Sequence, residues 1–161
     1  PWFPVKNLKE AKDFYQERYA SIYQKEQRYA YAICLKENNL PIDYVNIDLD
    51  DSHDLGYGLK KEYWHQGIVS EAVEAVIQQA KKDNLCYLTA THDIKNNHSG
   101  NVMKKVGMHY CYSYKEQWMP KNRPVIFRMY QINLDGKNGF IKNIGINMNI
   151  LLKKTYKGQV I

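Results

Sequence analysis

The chain has 161 residues, of which 44% are hydrophobic and 25% charged, and this composition fits one globular domain. It excludes a disordered chain, because 14 tyrosines and a normal apolar fraction supply enough material for a core. The net charge of +6 is unevenly placed: residues 136–161 hold five lysines and no acid, which leaves 18 basic and 17 acidic residues in 1–135. A nearly neutral body argues against nucleic acid as a partner.

The cysteines and histidines do not form a metal-binding pattern. Cys34, Cys86 and Cys111 are far apart and odd in number, and the five histidines lack ligand spacing, so we predict neither a disulfide framework nor a metal site. No apolar run approaches the roughly 18 residues that cross a bilayer, and the chain start is not a signal peptide. These features predict a cytoplasmic protein with no membrane partner.

The first amphipathic segment predicts a helix over Leu8–Lys25. Asn7 can cap this helix, and Glu10 three residues later completes a capping box. Apolar residues recur at steps of three and four and form one stripe: Leu8, Ala11, Tyr15, Tyr19 and Ile22. We expect the stripe to pack on a sheet.

Three stretches rich in β-formers follow. Tyr29–Leu35 and Ile42–Leu49, separated by a polar turn, predict two antiparallel strands. Asp54–Leu59 predicts a third strand that contains Gly56 and Gly58. Alternating glycines indicate either a bulge or a close approach to the backbone, and the alternative is a loosely packed edge strand.

The second half of the chain alternates helices and strands and then predicts a hairpin. The predicted helices are Gly67–Lys82 and Ser99–Val106, the latter ended by Gly107. The predicted strands are Cys86–Thr91, Met108–Trp118 and Val125–Asn133. The order indicates an α/β (α+β) fold, and residues 136–161 show no period from which structure could be predicted.

The loop before the second amphipathic helix is the most informative segment for function. Tyr63–Ala72 places Gly67 between a strand and a helix start. The first amide groups of a helix lack internal partners and lie at the positive end of its dipole, so they can bind a phosphate without a lysine. Alone the pattern is weak, because a glycine before a helix is more often a simple turn.

The loop indicates a function more specifically when it is considered together with the motifs around it. Three stretches of the chain together resemble the GNAT-superfamily N-acetyltransferases, in the branch of the ribosomal-protein N-terminal acetyltransferases. They are Asp54–Leu59, Tyr63–Ala72, and Asn96–Ser99 leading to Lys105–Met108. The resemblance covers about residues 1–135, which we predict as a GNAT-like domain, with residues 136–161 as a basic extension. It implies a mixed central sheet splayed between the family's fourth and fifth strands, with flanking helices. The family's first strand and first helix are absent from the chain as it begins here.

The resemblance implies that acetyl-CoA binds in the splayed opening as cosubstrate. Its pyrophosphate would lie on the backbone of the loop formed by His65, Gln66, Gly67, Ile68, Val69 and Ser70. Its pantetheine and acetyl groups would face Tyr57, Gly58 and Leu59. Asn96 and Ser99 match positions that contact the far side of the cofactor, and their alternative role is helix capping.

The implied reaction is direct attack of a primary amine, on a protein N-terminus or a small molecule, on the thioester. Asp54 is the candidate base, with a solvated strand-end carboxylate as the alternative role. Ser99 is the candidate acid, favoured over Tyr110 and Tyr112.

An alternative from another class is a noncatalytic acetyl-CoA-binding or assembly module. It is motivated by the missing front segment and by His65 and Val69, which stand where the family usually has small residues. We also expect the basic tail to serve either self-association, which would make a homo-oligomer, or other surface contacts.

Overall fold

The computed structural model describes residues 6–16, 20, 29–118, 122–140 and 151–152, and its strands form two antiparallel sheets. The first sheet has the order β1-β2-β3, with strands Tyr29–Cys34, Pro41–Ile47 and Leu55–Tyr57. The second has the order β4-β6-β5-β7, with strands Tyr87–Asp93 (β4), His109–Trp118 (β5), Arg123–Asn133 (β6) and Leu151–Leu152 (β7). Both predicted antiparallel pairs, β1 with β2 and β5 with β6, are confirmed.

The two sheets meet where β3 and β4 run side by side. Within the described residues they share one parallel bridge, between Asp54 and Thr89, and the Thr89 amide donates to the carbonyl of His53 at 3.1 Å. Beyond this bridge, among the strands that the structure describes, β3 pairs with β2 alone and β4 with β6 alone. The predicted splay in a mixed sheet is therefore confirmed.

Helix α1 spans Leu8–Tyr15. In the rest of the predicted Leu8–Lys25 helix, residues 16 and 20 are π-helical, and 17–19 and 21–25 lie outside the described residues. The predicted cap of α1 is confirmed, because the Asn7 side chain accepts a hydrogen bond from the Glu10 amide at 2.9 Å. The expected packing on a sheet is not found in the described helix, since none of its residues is buried and Leu8 is 71% exposed. Amphipathic periodicity predicts a helix but not which surface covers it.

Helices α2, Ile68–Lys82, and α3, Asn97–Lys105, flank the splayed strands, and a short 3₁₀ turn, Lys61–Tyr63, precedes α2. The apolar stripe of α2 is buried in the main core, through Val69, Val73, Val76, Ile77 and Ala80. Burying each large aliphatic side chain stabilises the fold by about 1.5–3 kcal/mol. Gly107 follows α3 at φ +87°, the left-handed conformation that the sequence predicted for this helix end.

The two glycines of the β3 segment are sites of close approach. A Cβ atom at Gly56 would lie 2.7 Å from Asn46 Oδ1, and one at Gly58 would lie 2.6 Å from Asp43 Oδ1. The β2–β3 register is regular, so the alternative of a bulge is wrong. The glycines make room for polar side chains from the neighbouring strand.

Part of the segment after residue 135 returns to the second sheet. The side-chain amides of Gln131 and Asn133 both donate to the carbonyl of Gly139 at 2.9 Å, and β7 pairs with Ser113 and Tyr114 of β5. Among the helices of the described ranges, none combines the length and apolarity that a bilayer span requires.

Candidate active site

A cleft opens where β3 and β4 diverge. Two cavities, of about 280 and 650 Å³, lie side by side in it. They share four lining residues, Leu59, Val69, His98 and Val102, so they form one continuous path along the cleft.

The smaller cavity lies at the N-terminus of α2. Gly67, Ile68, Val69 and Ser70 line it, and Gly67 has a φ of +81° with no side-chain cap on the helix. The first amides of the helix therefore lack a capping side chain at an open cavity, and the helix dipole adds positive potential there. This is the geometry of an anion site.

Lys105 adds a positive charge that the sequence had not assigned to the site. It lines the smaller cavity from α3, and its Nζ lies 4.0 Å from where a Cβ of Gly67 would stand. In the described residues no acidic side chain forms an ion pair with it. An ammonium group beside a helix N-terminus is electrostatically unfavourable until an anion separates them, so the residues present fit a phosphate group. The available sequence signal was that Lys105 lies in the last turn of α3, at the start of the segment Lys105–Met108 that takes part in the resemblance.

His65 adopts a left-handed turn at the position where the resemblance expects a small residue. Its φ is +63°, a left-handed conformation that costs a non-glycine residue about 1–2 kcal/mol. Its ring lies edge-on against His98, with centroids 5.1 Å apart, and His98 also contacts Trp64 at 5.6 Å. His65 lines the smaller cavity, whereas Gln66 lines neither cavity and its amide donates to the Glu62 carbonyl at 3.4 Å.

The larger cavity runs between the ends of β3 and β4. Tyr57, Gly58 and Leu59 line one wall, and Asn96 and Ser99 line the other. The Tyr57 hydroxyl donates to the Ser99 carbonyl across the cleft at 2.8 Å, and burial raises the pKa of Tyr57 above its usual range. This bond connects β3 to α3.

Asn96 caps α3 and also orients Ser99. Asn96 Oδ1 accepts from the Ser99 amide at 3.3 Å, and Asn96 Nδ2 donates to Ser99 Oγ at 2.9 Å. The capping role considered from sequence is therefore present. Because the hydroxyl oxygen of Ser99 accepts this hydrogen bond, its own O–H remains available to donate into the cavity.

Asp54 lies at the closed end of the splay, in the bridge to Thr89, and not in the lining of either cavity. Burial raises the pKa of its carboxyl to about 7, and the nearby carboxylates of Asp48 and Asp50 add to the shift. A carboxyl group that titrates near neutrality can exchange protons at physiological pH.

The tyrosines considered as alternative acids lie away from the two cavities. Tyr112 is 8% exposed and packs in a second small cluster with Tyr114 and Met129, while the Tyr110 hydroxyl bonds to Ser113 Oγ at 2.9 Å. Within the described ranges, no group of three metal-ligating side chains converges.

A sheet that splays beside an uncapped helix N-terminus at an open cavity defines an α/β protein with an extended cleft. Residues 1–109 match the family model of the acetyltransferase (GNAT) domain, and the chain therefore belongs to the GNAT acetyltransferase family. No curated protein matches the sequence.

Solved structures share the fold. The ribosomal-protein-S5-alanine acetyltransferase from Vibrio fischeri is 19% identical, with a TM-score of 0.68 over 86% of this chain and 81% of that one. RimL, the ribosomal L7/L12 α-N-protein acetyltransferase solved with coenzyme A, is 16% identical, with a TM-score of 0.70 over 83% and 76%. The microcin C7 self-immunity acetyltransferase MccE, solved with acetyl-CoA and AMP, is 16% identical, with a TM-score of 0.70 over 80% and 72%.

Proposed function

We propose that this protein transfers the acetyl group of acetyl-CoA to a primary amine by direct attack, without a covalent enzyme intermediate. The observation that carries the proposal is the cleft, which extends from the uncapped N-terminus of α2 along the ends of β3 and β4. Family membership and the coenzyme A named in the structures of RimL and MccE support acetyl-CoA as the cosubstrate.

The cleft residues divide the binding of acetyl-CoA between them. The amides at the start of α2, from His65 to Ser70, and the Lys105 ammonium hold the phosphates. The segment Tyr57–Leu59 faces the pantetheine arm in the larger cavity, and Asn96 and Ser99 close the opposite wall.

Acetyl-CoA supplies the acetyl group as an activated thioester. Asp54 accepts the proton that the amine must lose before it attacks, either directly or through a water molecule. Ser99 Oγ donates a proton to the departing thiolate, for which the Asn96 contact leaves its O–H available. The new C–N bond replaces the C–S bond. Asp54 takes the proton that the ammonium loses before the attack and later releases it to solvent. Ser99 gives its proton to sulfur and is restored by the second proton, which the nitrogen loses after the attack and which reaches Ser99 Oγ through water.

The proposal is tested by following thiol release from acetyl-CoA with a panel of amines, including polyamines, aminoglycosides and peptides with free N-termini. We expect release that depends on one class of amine and gives an acetylated product in the mass spectrum. A broad panel without turnover would contradict the proposal.

A noncatalytic acetyl-CoA-binding or assembly module is the second candidate, and the imidazole of His65 in the phosphate cavity favours it. This role predicts acetyl-CoA binding in calorimetry without thiol release for any amine. Thiol release above the uncatalysed rate with a purified sample contradicts it.

The domain boundary, the role of the C-terminal extension and the cellular location are also proposals. We place the acetyltransferase domain at residues 1–135 and assign 136–161 to a basic extension that serves self-association, in a cytoplasmic protein. Sedimentation of the full chain and of a chain that ends at Asp135 tests the self-association, which requires the shorter chain to be monomeric.

A further inference from the structure

The carboxyl group of Asp54 faces a second carboxylate across the β2–β3 hairpin. The pairing of Ile47 with Leu55 continues by one step beyond the strands, because the Asp48 amide donates to the Asp54 carbonyl at 3.0 Å. Side chains directly opposite each other in an antiparallel pair lie on the same face, with Cβ atoms about 4.5–5.5 Å apart. Asp48 and Asp54 therefore form a cross-strand pair of like charge.

Hydrogen bonds to β4 fix the loop of this hairpin. The Thr89 hydroxyl and amide donate to the carbonyls of Ser52 and His53, at 2.7 and 3.1 Å. The Tyr87 hydroxyl donates to the Asp51 carbonyl at 2.6 Å. Three consecutive residues of the loop are thereby anchored to one strand, which keeps the cross-strand pair of carboxyl groups close together.

Tyrosines on the neighbouring strands do not supply the charge that acts on Asp54. Tyr57 on β3 and Tyr114 on β5 are within electrostatic reach, but burial raises the pKa of both hydroxyls above the usual range, so both stay neutral at physiological pH. The ring of His53 acts electrostatically on Asp50 instead. The negative charge beside Asp54 therefore comes from the acidic side chains of the hairpin.

Two aspartates of the hairpin act on Asp54, and they differ in how their charge is compensated. Asp50 Oδ1 accepts hydrogen bonds from the Ser52 hydroxyl and from the Ser52 amide, the latter at 3.0 Å, and these bonds lower the pKa of Asp50. Asp48 is the direct cross-strand partner, and after burial it is the largest cause that raises the pKa of Asp54. Like charges directly opposite each other on a sheet are unfavourable, and the repulsion ends when one carboxylate takes up a proton.

We propose that Asp48 is a positioning residue of the acetyl transfer, whose carboxylate, opposite Asp54 across the hairpin, makes Asp54 a stronger base. The inference rests on the proposed function and adds a residue that acts only through Asp54. When the ammonium of the acceptor loses its proton to Asp54, one of the two facing negative charges disappears. Asp48 neither gives nor receives the proton, and the relief of repulsion between the two carboxylates favours the transfer.

The test follows the Asp54 carboxyl and the reaction separately in the full chain. Carboxyl-carbon NMR gives the titration midpoint of Asp54, assigned by the signal that Asp54→Asn removes, and the pH profile of kcat/KM is measured with the same proteins. The main variant is Asp48→Asn, which removes the charge and keeps the shape, and Asp48→Glu keeps the charge. The control is Asp51→Asn, which removes an exposed acid from the same loop.

We expect the Asp54 midpoint to fall from about 7 in the wild type to about 6 in Asp48→Asn, and the inflection of kcat/KM to fall with it. Asp48→Glu should stay near the wild type, and Asp51→Asn should leave the midpoint unchanged. An unchanged midpoint in Asp48→Asn, or equal shifts in Asp48→Asn and Asp51→Asn, would overturn the inference. A kcat/KM inflection that stays in place while the midpoint moves would also overturn it.

The NMR titration needs no turnover, so the inference and the proposed function can fail separately. If the midpoint moves in Asp48→Asn but the wild type turns over no amine, the effect of Asp48 on Asp54 stands and the proposed acetyl transfer is contradicted.

Discussion

At the scale of single residues, the account depends on Asp54. Its carboxyl lies at the closed end of the splay and has a pKa raised to about 7 by burial and by two acidic neighbours. This environment separates it from surface carboxylates, which are fully ionised at neutral pH. A base with this pKa is matched to proton transfer under physiological conditions.

The first prediction concerns the rate. Asp54→Asn should lower kcat/KM by about 100-fold or more, because the amine then loses its proton without a base. In the wild type kcat/KM should rise with pH and level off above about 7, where Asp54 is ionised. A wild-type profile without this inflection, or a variant of normal rate, would assign the base elsewhere.

The second prediction tests the raised pKa of Asp54 through protein stability instead of catalysis. The folded-state pKa of Asp54 is raised, so the stability that its protonated form contributes is complete below about pH 4 and is lost as the pH rises through about 7. Asparagine does not ionise. The melting temperature of Asp54→Asn minus that of the wild type should therefore increase from pH 5 to pH 8, and a constant difference would show that Asp54 is not perturbed.

The third prediction concerns Lys105. Lys105→Met should weaken acetyl-CoA binding by about tenfold and reduce its dependence on salt, because one charge-assisted contact with phosphate is lost. Lys104→Met is the matched control, since Lys104 is the preceding residue of the same last helical turn and lines neither cavity. Calorimetry compares the dissociation constant of acetyl-CoA for the two variants. Equal weakening by both substitutions would mean that only the net charge of the protein matters, and not a contact made by Lys105.

At the scale of secondary structure, the contact between α3 and β4 holds one wall of the cleft. Gly100 of α3 lies against His92 of β4, and a Cβ at Gly100 would be 2.6 Å from His92 Nε2. His92 is 4% exposed, and burial lowers its pKa, so it packs as a neutral ring. This close contact brings Asn96 and Ser99 up to β3.

The fourth prediction follows from that contact. Gly100→Ala should lower the free energy of unfolding by about 1–3 kcal/mol, because the added methyl group forces the ring or the helix to move. Chemical denaturation of Gly100→Ala, His92→Ala and the double variant measures the coupling. The double variant should be more stable than the sum of the single effects predicts, and simple additivity would contradict the contact.

The secondary structure elements were largely predictable, and the reasons differ from one element to the next. The loop before α2 and the cap at Asn96 follow from local patterns, whereas the splay was implied by the family resemblance that three motifs carry. Three other features depend on contacts between distant segments. They are the surroundings of α1, the side chains above Gly56 and Gly58, and the position of Lys105 over Gly67. Local periodicity does not encode such contacts.

At the scale of the whole molecule, the charge distribution acquires a structural meaning. The body is nearly neutral, yet Lys105 and the N-terminus of α2 place positive potential at one end of the cleft, and Asp43 places negative charge further along it. Such a separation suits an anionic cosubstrate and a cationic acceptor in one cleft.

The fifth prediction concerns the proposed boundary at residue 135. Deleting residues 136–161 should leave the dissociation constant of acetyl-CoA unchanged, because the cleft lies on β3, β4, α2 and α3. The contacts of Gly139 and β7 with the second sheet should make the shorter chain melt at a lower temperature. A folded chain that no longer binds acetyl-CoA would show that the boundary is misplaced.

The proposed function requires the cleft between β3 and β4 to bind acetyl-CoA for transfer to an amine. Calorimetric titration of the full chain with acetyl-CoA tests this most directly, with Lys105→Met as the reference variant. We predict that one molecule of acetyl-CoA binds per chain, and that it binds the variant more weakly. The absence of binding by a folded wild-type protein would contradict it and would leave a shared fold without the shared ligand.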